Sequence, residues 1–360
     1  MMDNRTRIRN TALCKEVDRL PFTFMFGPWP DTIERWRTEG LAEGGNWDEG
    51  FGFDAGFRFV DVNLGYRPPF PYQELEDRGD TMIVRDTLGI TAEVRKKGSA
   101  VPHYLDYPVK GREDWERLKK ERLDPDDPRR FPDNWNELVE QYNTGEHAIQ
   151  LGWFPYGLFG TLRDMMGVEE LLVSFYTQPD LIRDMMNYLT DFWLHIYEKV
   201  CRQVKVDCIH MWEDMSAKNG SLISPAMVRE FMMPNYKRIK AFADAHDIAI
   251  FSLDTDGDCT ELIPLFLESG INLIYPFEVA AGCDIVAIRK QYPKLAIMGG
   301  IDKREIAKGK EAIDRELERV RELFAYSGYF PALDHLIHPE ISWEDFQYLV
   351  WRLKEMIGVK

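Results

Sequence analysis

Eight short apolar runs recur along this chain, and each of them ends in polar residues. They read RLPFTFMFG (19–27), GFRFVDVNLG (56–65), AIQLGWFPYG (148–157), VDCIHMWEDM (206–215), IAIFSLDTDG (248–257), INLIYPFEVA (271–280), KLAIMGGID (294–302) and YFPALDHLI (329–337). Helical patterns fall between most of them, and this alternation favours right-handed β/α units around a parallel sheet. Eight such units predict an α/β fold, a (β/α)8 TIM barrel, as a single domain over residues 1–360.

The helices between the runs carry their own start and stop signals. The periodic apolar stretch of 165–200 is broken at Gln178-Pro179, and Ser224-Pro225 opens a second helical pattern as a cap followed by proline. Ser342 is expected to cap a last helix over 343–357. Further helical patterns lie at 260–269, 283–291 and 312–324.

Residues 66–147 depart from this alternation. TMIVRDTLGITAEVRK (81–96) predicts two short strands around a turn, and LDPDDPRRFPD (123–133) is polar and rich in proline. We interpret 66–147 as an insertion after the second strand, on the mouth side of the barrel, where it can act as a lid. The alternative is a surface loop without a part in catalysis.

Charge and cysteine usage exclude some classes of partner. The net charge of −16 argues against nonspecific binding to nucleic acid or to an anionic membrane. The five cysteines include no C-x-x-C pair, which is typical of a reduced compartment. No signal core and no window of roughly 18–20 apolar residues is present, so a cytoplasmic location is expected.

Acidic residues follow the late apolar runs. They are Glu213 and Asp214, Asp254 and Asp256, Glu278, and Asp334 with His335. Because the C-terminal ends of barrel strands meet at one mouth, these side chains are expected to share a site. An acidic mouth with one imidazole suits a metal ion, a cationic substrate or one that demands a proton.

The pairs within this set allow different interpretations. Glu213 and Asp214 are adjacent, so only one can point into the barrel, and both could instead cap a helix. Asp254 and Asp256 are two residues apart and would face the same side, where they repel unless a cation or a proton lies between them. The same Asp-x-Asp-Gly sequence is also typical of a simple turn.

Further candidates surround these acids. His335 is a natural metal ligand or proton shuttle, and Glu278 or Asp302 could alternatively pair with Lys303 or Arg304. The aromatic run WFPYGLF (153–159) could stack a flat ligand or pack a core. The candidate substrate contacts are Trp29, Asp61, Trp153, Tyr156, Trp212, Asn219, Asp302 and Asp334.

Several segments together resemble the uroporphyrinogen decarboxylase superfamily. They are MWEDM (211–215), NGSLISPAMVREFMMPNYKRI (219–239), the strand that ends in Asp256-Gly257, GGID (299–302) and the closing PALDHLI (331–337) with WEDF (343–346). The resemblance covers most of 145–360 and implies a (β/α)8 barrel and a homodimer. It implies one of two activities, which are decarboxylation of uroporphyrinogen III and cobalamin-dependent methyl transfer involving a corrinoid protein.

The decarboxylase branch is poorly matched. Its arginine-rich motif is replaced by Gly27-Pro28-Trp29-Pro30, and the tyrosine that it places in 157–167 is nearest to Met165. The family's catalytic aspartate and late histidine correspond to Asp61 and His335. A substrate with eight carboxylates needs a basic cavity, whereas this mouth is expected to be acidic.

The methyltransferase branch fits better, with changed ligands. Its zinc-binding His-x-Cys corresponds to Asp254-Thr255-Asp256, and its late cysteine corresponds to His335. Hard oxygen ligands suit thiol activation poorly, although they can still hold a divalent ion such as zinc. The resemblance therefore favours demethylation of a methyl ether or a methylamine-type donor, in which an acid or a metal stabilises the leaving oxygen or nitrogen.

Three hypotheses follow. The first is a methyltransferase that demethylates a small donor toward the corrinoid (cobalamin) of a partner protein. The second is a uroporphyrinogen decarboxylase-type enzyme of porphyrin biosynthesis, and the third is a non-catalytic ligand-binding barrel. For the first, the expected catalytic residues are Glu213, Asp214, Asp256 and His335, and the expected metal ligands are Asp254, Asp256, Glu278 and His335.

Overall fold

The computed structural model of the protein describes residues 2–98 and 100–359. Its strands are β1 (Phe57–Phe59), β2 (Gln73–Asp77), β3 (Thr81–Arg85), β4 (Thr91–Arg95), β5 (His103–Asp106), β6 (Ala148–Leu151), β7 (Cys208–Trp212), β8 (Ser216–Ala217), β9 (Gly220–Ser221), β10 (Ile250–Thr255), β11 (Leu273–Pro276), β12 (Ala296–Met298) and β13 (Tyr329–Phe330). Its α-helices are α1 (Asn4–Ala12), α2 (Pro30–Thr38), α3 (Arg112–Arg122), α4 (Trp135–Thr144), α5 (Leu158–Met166), α6 (Val168–Thr177), α7 (Pro179–Cys201), α8 (Pro225–Met227), α9 (Met233–Ala245), α10 (Ile263–Glu268), α11 (Ile285–Gln291), α12 (Lys303–Ile306), α13 (Lys310–Arg319) and α14 (Trp343–Ile357).

Seven parallel strands form one curled sheet in the order β1-β6-β7-β10-β11-β12-β13. This mixed α/β arrangement is consistent with a TIM-like barrel, and each of the last seven predicted runs contains one of its strands. The first predicted strand, 19–27, is wrong, because the described residues form no strand there. Pro21 has no N–H to donate to a ladder, and the segment meets the end of the chain at an isolated bridge between Pro28 and Ile337.

The interior of the curled sheet is filled with side chains. One buried cluster joins alternate strand residues to two residues of α1, and its members include Ile8, Ala12, Ala148, Cys208, Ile250, Leu273, Ala296 and Phe330. The strand residues of this cluster lie mostly at strand beginnings, so α1 covers the N-terminal end of the sheet. The opposite, C-terminal end is therefore the one available for a site.

The predicted helix signals are confirmed. The α6–α7 boundary falls at Gln178, which precedes the proline that opens α7. Ser224 accepts a hydrogen bond from the N–H of Met227, and Ser342 accepts one from the N–H of Asp345. These caps satisfy N–H groups that have no partner inside the helix.

Residues 66–147 contain a four-stranded antiparallel sheet, β2-β3-β4-β5, followed by α3 and α4. The β3–β4 hairpin matches the two strands predicted within 81–96. The segment packs on α5, since the N–H of Val109 donates to the carbonyl of Met165 and the ring of Tyr107 lies against Gly167. It therefore lies beside a helix that begins just after the C-terminal end of β6.

Two sequence-based expectations about the whole chain can be compared with the structure. All five cysteines are free thiols. Within 2–98 and 100–359, no helix is both long enough and apolar enough to cross a membrane.

Candidate active site

Asp254 is the buried centre of an acidic cluster at the C-terminal end of the sheet. It pairs in register with Trp212 of β7 and with Tyr275 of β11. Its side chain has no hydrogen-bond donor among the described residues, and it is only 8% exposed. Burial, together with the nearby charges of Asp256 and Asp214, raises the pKa of Asp254 well above its usual value. This environment favours the protonated carboxylic acid.

His335 and Asp256 form an ion pair at the opening of this cluster. Nε2 of His335 lies 3.3 Å from Oδ1 of Asp256, and the imidazole stacks on Phe26 with 5.2 Å between ring centroids. Burial alone would lower the pKa of His335, but the hydrogen bond and charge of Asp256 outweigh it, so the pKa is raised. The structure thus brings together a partly exposed imidazolium and its carboxylate partner.

Lys303 neutralises the opposite side of the cluster. Its Nζ lies 3.3 Å from Oε1 of Glu278 and 3.5 Å from Oδ1 of Asp334. Asp334 also accepts hydrogen bonds from the N–H groups of Val279 and Lys303. Asp302, in turn, pairs with Arg304. Salt-bridge partners were the alternative interpretation of Glu278 and Asp302, and the structure shows both pairs.

Glu213 lies away from the open part of the site. Its carboxylate accepts hydrogen bonds from the N–H groups of Leu158, Phe159 and Gly160, at 3.0, 2.6 and 3.3 Å, and from the Tyr236 hydroxyl at 2.8 Å. Burial raises the pKa of Glu213 to about 7, against the lowering effect of these donors. It therefore caps α5, which precedes it in the chain.

Asp214, the neighbour of Glu213, faces a cation. Arg163 of α5 forms an ion pair with its side chain and also donates to its backbone carbonyl. Burial raises the pKa of Asp214, while the charge of Arg163 opposes that rise. Because Asp214 also raises the pKa of Asp254, it belongs to the same electrostatic cluster.

The predicted substrate contacts fall in separate places. Asp61, Trp153 and Tyr156 line one cleft of about 410 Å³ at the ends of β1 and β6, which Arg67 and Arg130 also line. Trp29 directly precedes α2, where its N–H donates to the carbonyl of Ile337. Asn219 is exposed between β8 and β9. The sequence analysis did not identify either arginine of the cleft.

A buried polar layer also lies below Asp254, and the sequence analysis missed it. The Nδ1 atom of His210 lies 2.9 Å from the Ser252 hydroxyl and 2.9 Å from the Tyr275 hydroxyl. Burial lowers the pKa of His210 to about 3. The sequence did contain a signal for this layer. Ser252 is two residues before Asp254 on the same strand and is paired with His210 on the next strand, so all three side chains face the same side of the sheet.

The predicted metal site does not fit a metal as it is arranged. Among the described residues, no group of three His, Cys, Asp or Glu side chains is placed to hold a metal ion. Glu278 is engaged by Lys303 and by the N–H of Gly257, and His335 is engaged by Asp256. Zinc binding stays a prediction, and the proposed chemistry does not depend on it.

Comparisons with known proteins add a family and a fold. The family model described as uroporphyrinogen decarboxylase (URO-D) matches residues 79–356. A solved methyltransferase from Methanosarcina mazei is 14% identical, with 99% of each chain covered and a TM-score of 0.62. A B12-independent methionine synthase from Shewanella sp. W3-18-1, solved with selenomethionine, is 12% identical over 95% of each chain, with a TM-score of 0.44. No match was found among curated proteins.

Proposed function

This chain belongs to the uroporphyrinogen decarboxylase family, and we propose that it is a corrinoid-dependent methyltransferase. In this proposal it removes the methyl group of a small methyl ether or methylamine-type donor and passes it to a corrinoid protein. The observation that carries the proposal is the His335–Asp256 ion pair, held beside the buried acid Asp254. We also propose that residues 66–147 act as a lid and that the protein is a cytoplasmic homodimer.

The proposed role of His335 is general acid catalysis. When the bond between the methyl carbon and oxygen or nitrogen breaks, the leaving atom keeps the electron pair and needs a proton. His335 supplies that proton from Nδ1, because its Nε2 faces Asp256, and the raised pKa keeps the imidazole charged until then. Asp256 orients the ring and stabilises its positive charge, while Asp254 in its protonated form donates a second hydrogen bond to the same atom.

The rim of the site suits a large flat cofactor carried by a partner. Phe154 is 58% exposed and Trp153 is 44% exposed. Phe154 also packs edge-on against Trp212, which adjoins Asp254. Exposed aromatic side chains of this kind favour contact with a planar ring system. A bound corrinoid would supply the nucleophile that accepts the methyl group.

One observation favours the decarboxylase alternative. Asp61, which matches the family's catalytic aspartate, lines the same cleft as Arg67 and Arg130. A cleft with guanidinium groups can hold a carboxylated substrate. Release of carbon dioxide from uroporphyrinogen by the purified protein would support this alternative over methyl transfer.

The test is a spectral assay of methyl transfer. The protein is mixed with reduced cobalamin and with methyl ethers or methylamines, and formation of methylcobalamin is followed by absorbance. Replacement of the general acid in H335Q is expected to lower kcat/KM by about 10²–10⁴-fold. The matched control is H338Q, since His338 is an exposed loop histidine near the same strand end. Failure of every donor class to methylate cobalamin would count against the proposal.

A further inference from the structure

A second site lies at the C-terminal ends of β1 and β6, in the cleft of about 410 Å³. We call it the arginine cleft and define it by Asp61, Asn63, Arg67, Arg130, Trp153 and Tyr156. None of Asp254, Asp256 and His335 lines it. We propose that the arginine cleft binds a small aromatic carboxylate, and this inference concerns binding alone, so it goes beyond the proposed methyl transfer.

Arg67 is the group that calls for an anion. Its Nε is buried and has no hydrogen-bond partner, and no carboxylate within the described part of the chain forms an ion pair with its guanidinium. A buried donor without a partner costs free energy, which an acceptor on a ligand would recover. A planar carboxylate matches the two parallel N–H groups of a guanidinium, and such pairs are strong.

Arg130 adds a second positive charge behind Arg67. Each of its three guanidinium nitrogens donates to oxygen atoms of Asn63, Gly65, Arg122 or Asp124, so it acts on a ligand mainly through its charge. Burial is the largest influence on the pKa of Arg130 and lowers it, the charges of Asp127 and Asp124 oppose that shift, and the positive charge of Arg67 adds to it. These two arginines thus repel each other, and a bound anion relieves that repulsion.

The charges of the other two arginines that line the cleft are countered by nearby acids. Arg129 is paired with Asp127, and Arg130 lies in the field of Asp127 and Asp124. Arg67 is the lining arginine without an ion pair to any described carboxylate, Asp61 included. A monoanion in the cleft would pair with Arg67, whereas a neutral ligand leaves it unpaired.

The other wall of the cleft is aromatic and open. Trp153 stacks on Phe59 with 5.6 Å between ring centroids and 25° between ring planes. Both rings are exposed. The partly exposed indole of Trp153 offers a flat face on which a ligand ring can lie. A benzene ring on this face with its carboxylate toward Arg67 satisfies both walls.

The cleft is also held rigid before any ligand arrives. Arg130 binds the carbonyls of Asn63 and Gly65, and the indole N–H of Trp193 donates to the carbonyl of Leu64 at 3.2 Å. A side chain at Gly65 would collide with the Tyr156 hydroxyl, because a Cβ there lies only 2.8 Å from that oxygen. Little conformational entropy is therefore lost from the cleft when a ligand binds.

Calorimetric titration of the full chain with benzoate tests this inference. Benzamide, which is neutral, and cyclohexanecarboxylate, which lacks an aromatic face, are the comparison ligands. Benzoate is expected to bind at least about tenfold more tightly than either one. Raising sodium chloride from about 0.05 to about 0.5 M is expected to weaken benzoate binding.

Variants assign the binding to the cleft. R67Q and W153L are each expected to weaken benzoate binding by about tenfold or more, and R67K is expected to fall between wild type and R67Q because it keeps only the charge. R315Q and W351L replace exposed residues of α13 and α14 and should bind as wild type does. Thermal melting of each variant verifies that it is folded.

The inference is overturned if benzoate does not bind, if benzamide binds as tightly, or if both R67Q and W153L keep wild-type affinity. Methyl transfer plays no part in this titration. Benzoate binding without methyl transfer would contradict only the proposed function, and methyl transfer without benzoate binding would contradict only the arginine cleft.

Discussion

Arg130 is expected to stabilise the segment 66–147 through hydrogen bonds to the chain before it. Its guanidinium donates to the carbonyls of Asn63, Gly65, Arg122 and Asp124, at 3.1, 2.9, 3.1 and 2.6 Å. It thereby ties the chain that follows β1 to the loop after α3. The perturbation is R130M, which keeps a long apolar side chain but removes every one of these donors.

The magnitude follows from which carbonyls lose their partner. Those of Asn63 and Gly65 have no other donor among the described residues, whereas the carbonyl of Arg122 keeps the N–H of Arg67. At about 2 kcal/mol for each buried carbonyl without a partner, the loss is about 4 kcal/mol. An unfolding entropy of about 2.1 cal/mol/K per residue over 360 residues converts this into a fall in Tm of about 5 °C.

Thermal unfolding followed by circular dichroism measures the effect. The matched control is R129M, because Arg129 is the neighbouring residue, is exposed, and among the residues that the structure describes forms an ion pair only with Asp127 in the same loop. Its Tm should stay at the wild-type value, since such exposed pairs contribute little. If R130M has the same Tm as R129M, the carbonyls of Asn63 and Gly65 do not depend on Arg130 for stability, and the prediction is refuted.

Three further predictions concern the site. Burial lowers the pKa of His210 to about 3 from 6.5, so between these pH values His210 binds a proton in the unfolded chain but not in the folded protein. The free energy of unfolding should therefore decrease as pH falls from about 6.5 toward 3. Chemical denaturation across this range should show a smaller decrease for H210Q than for the wild type. Because Asp256 raises the pKa of His335, activity should fall as pH rises through that pKa, and D256N should move this alkaline limb to lower pH in the methyl-transfer assay. G257A should lower Tm more than G282A does, because both glycines have positive φ but only at Gly257 would a Cβ collide with backbone, at 2.7 Å.

Much of the fold could be predicted because its signals are local. A buried strand needs a short apolar run, and a helix start needs a capping side chain. The sequence therefore predicted seven strands of the parallel sheet, the helix break before Pro179, and the helix caps Ser224 and Ser342. The failure at 19–27 has the same origin, since apolar residues predicted a strand there although strand pairing depends on N–H donors and on a partner elsewhere in the chain.

The convergence of the acids also followed from the sequence, because parallel strands bring their C-terminal ends to one edge. Asp254, Asp256 and His335 do lie together. The cation that pairs with each acid could not be predicted from the sequence. Arg163 reaches Asp214 from α5, and Lys303 reaches Glu278 and Asp334 from the start of α12.

The sequence by itself therefore determined the order of strands and helices and the end of the sheet that carries the chemistry. Only the tertiary structure decided which acids are neutralised, that Glu213 caps α5, and that Arg67 and Arg130 face the aromatic wall of Trp153. The physical reason is range. Secondary structure depends on residues within a few positions, whereas burial, ion pairing and pKa depend on side chains that are distant in sequence and come together only when the chain folds.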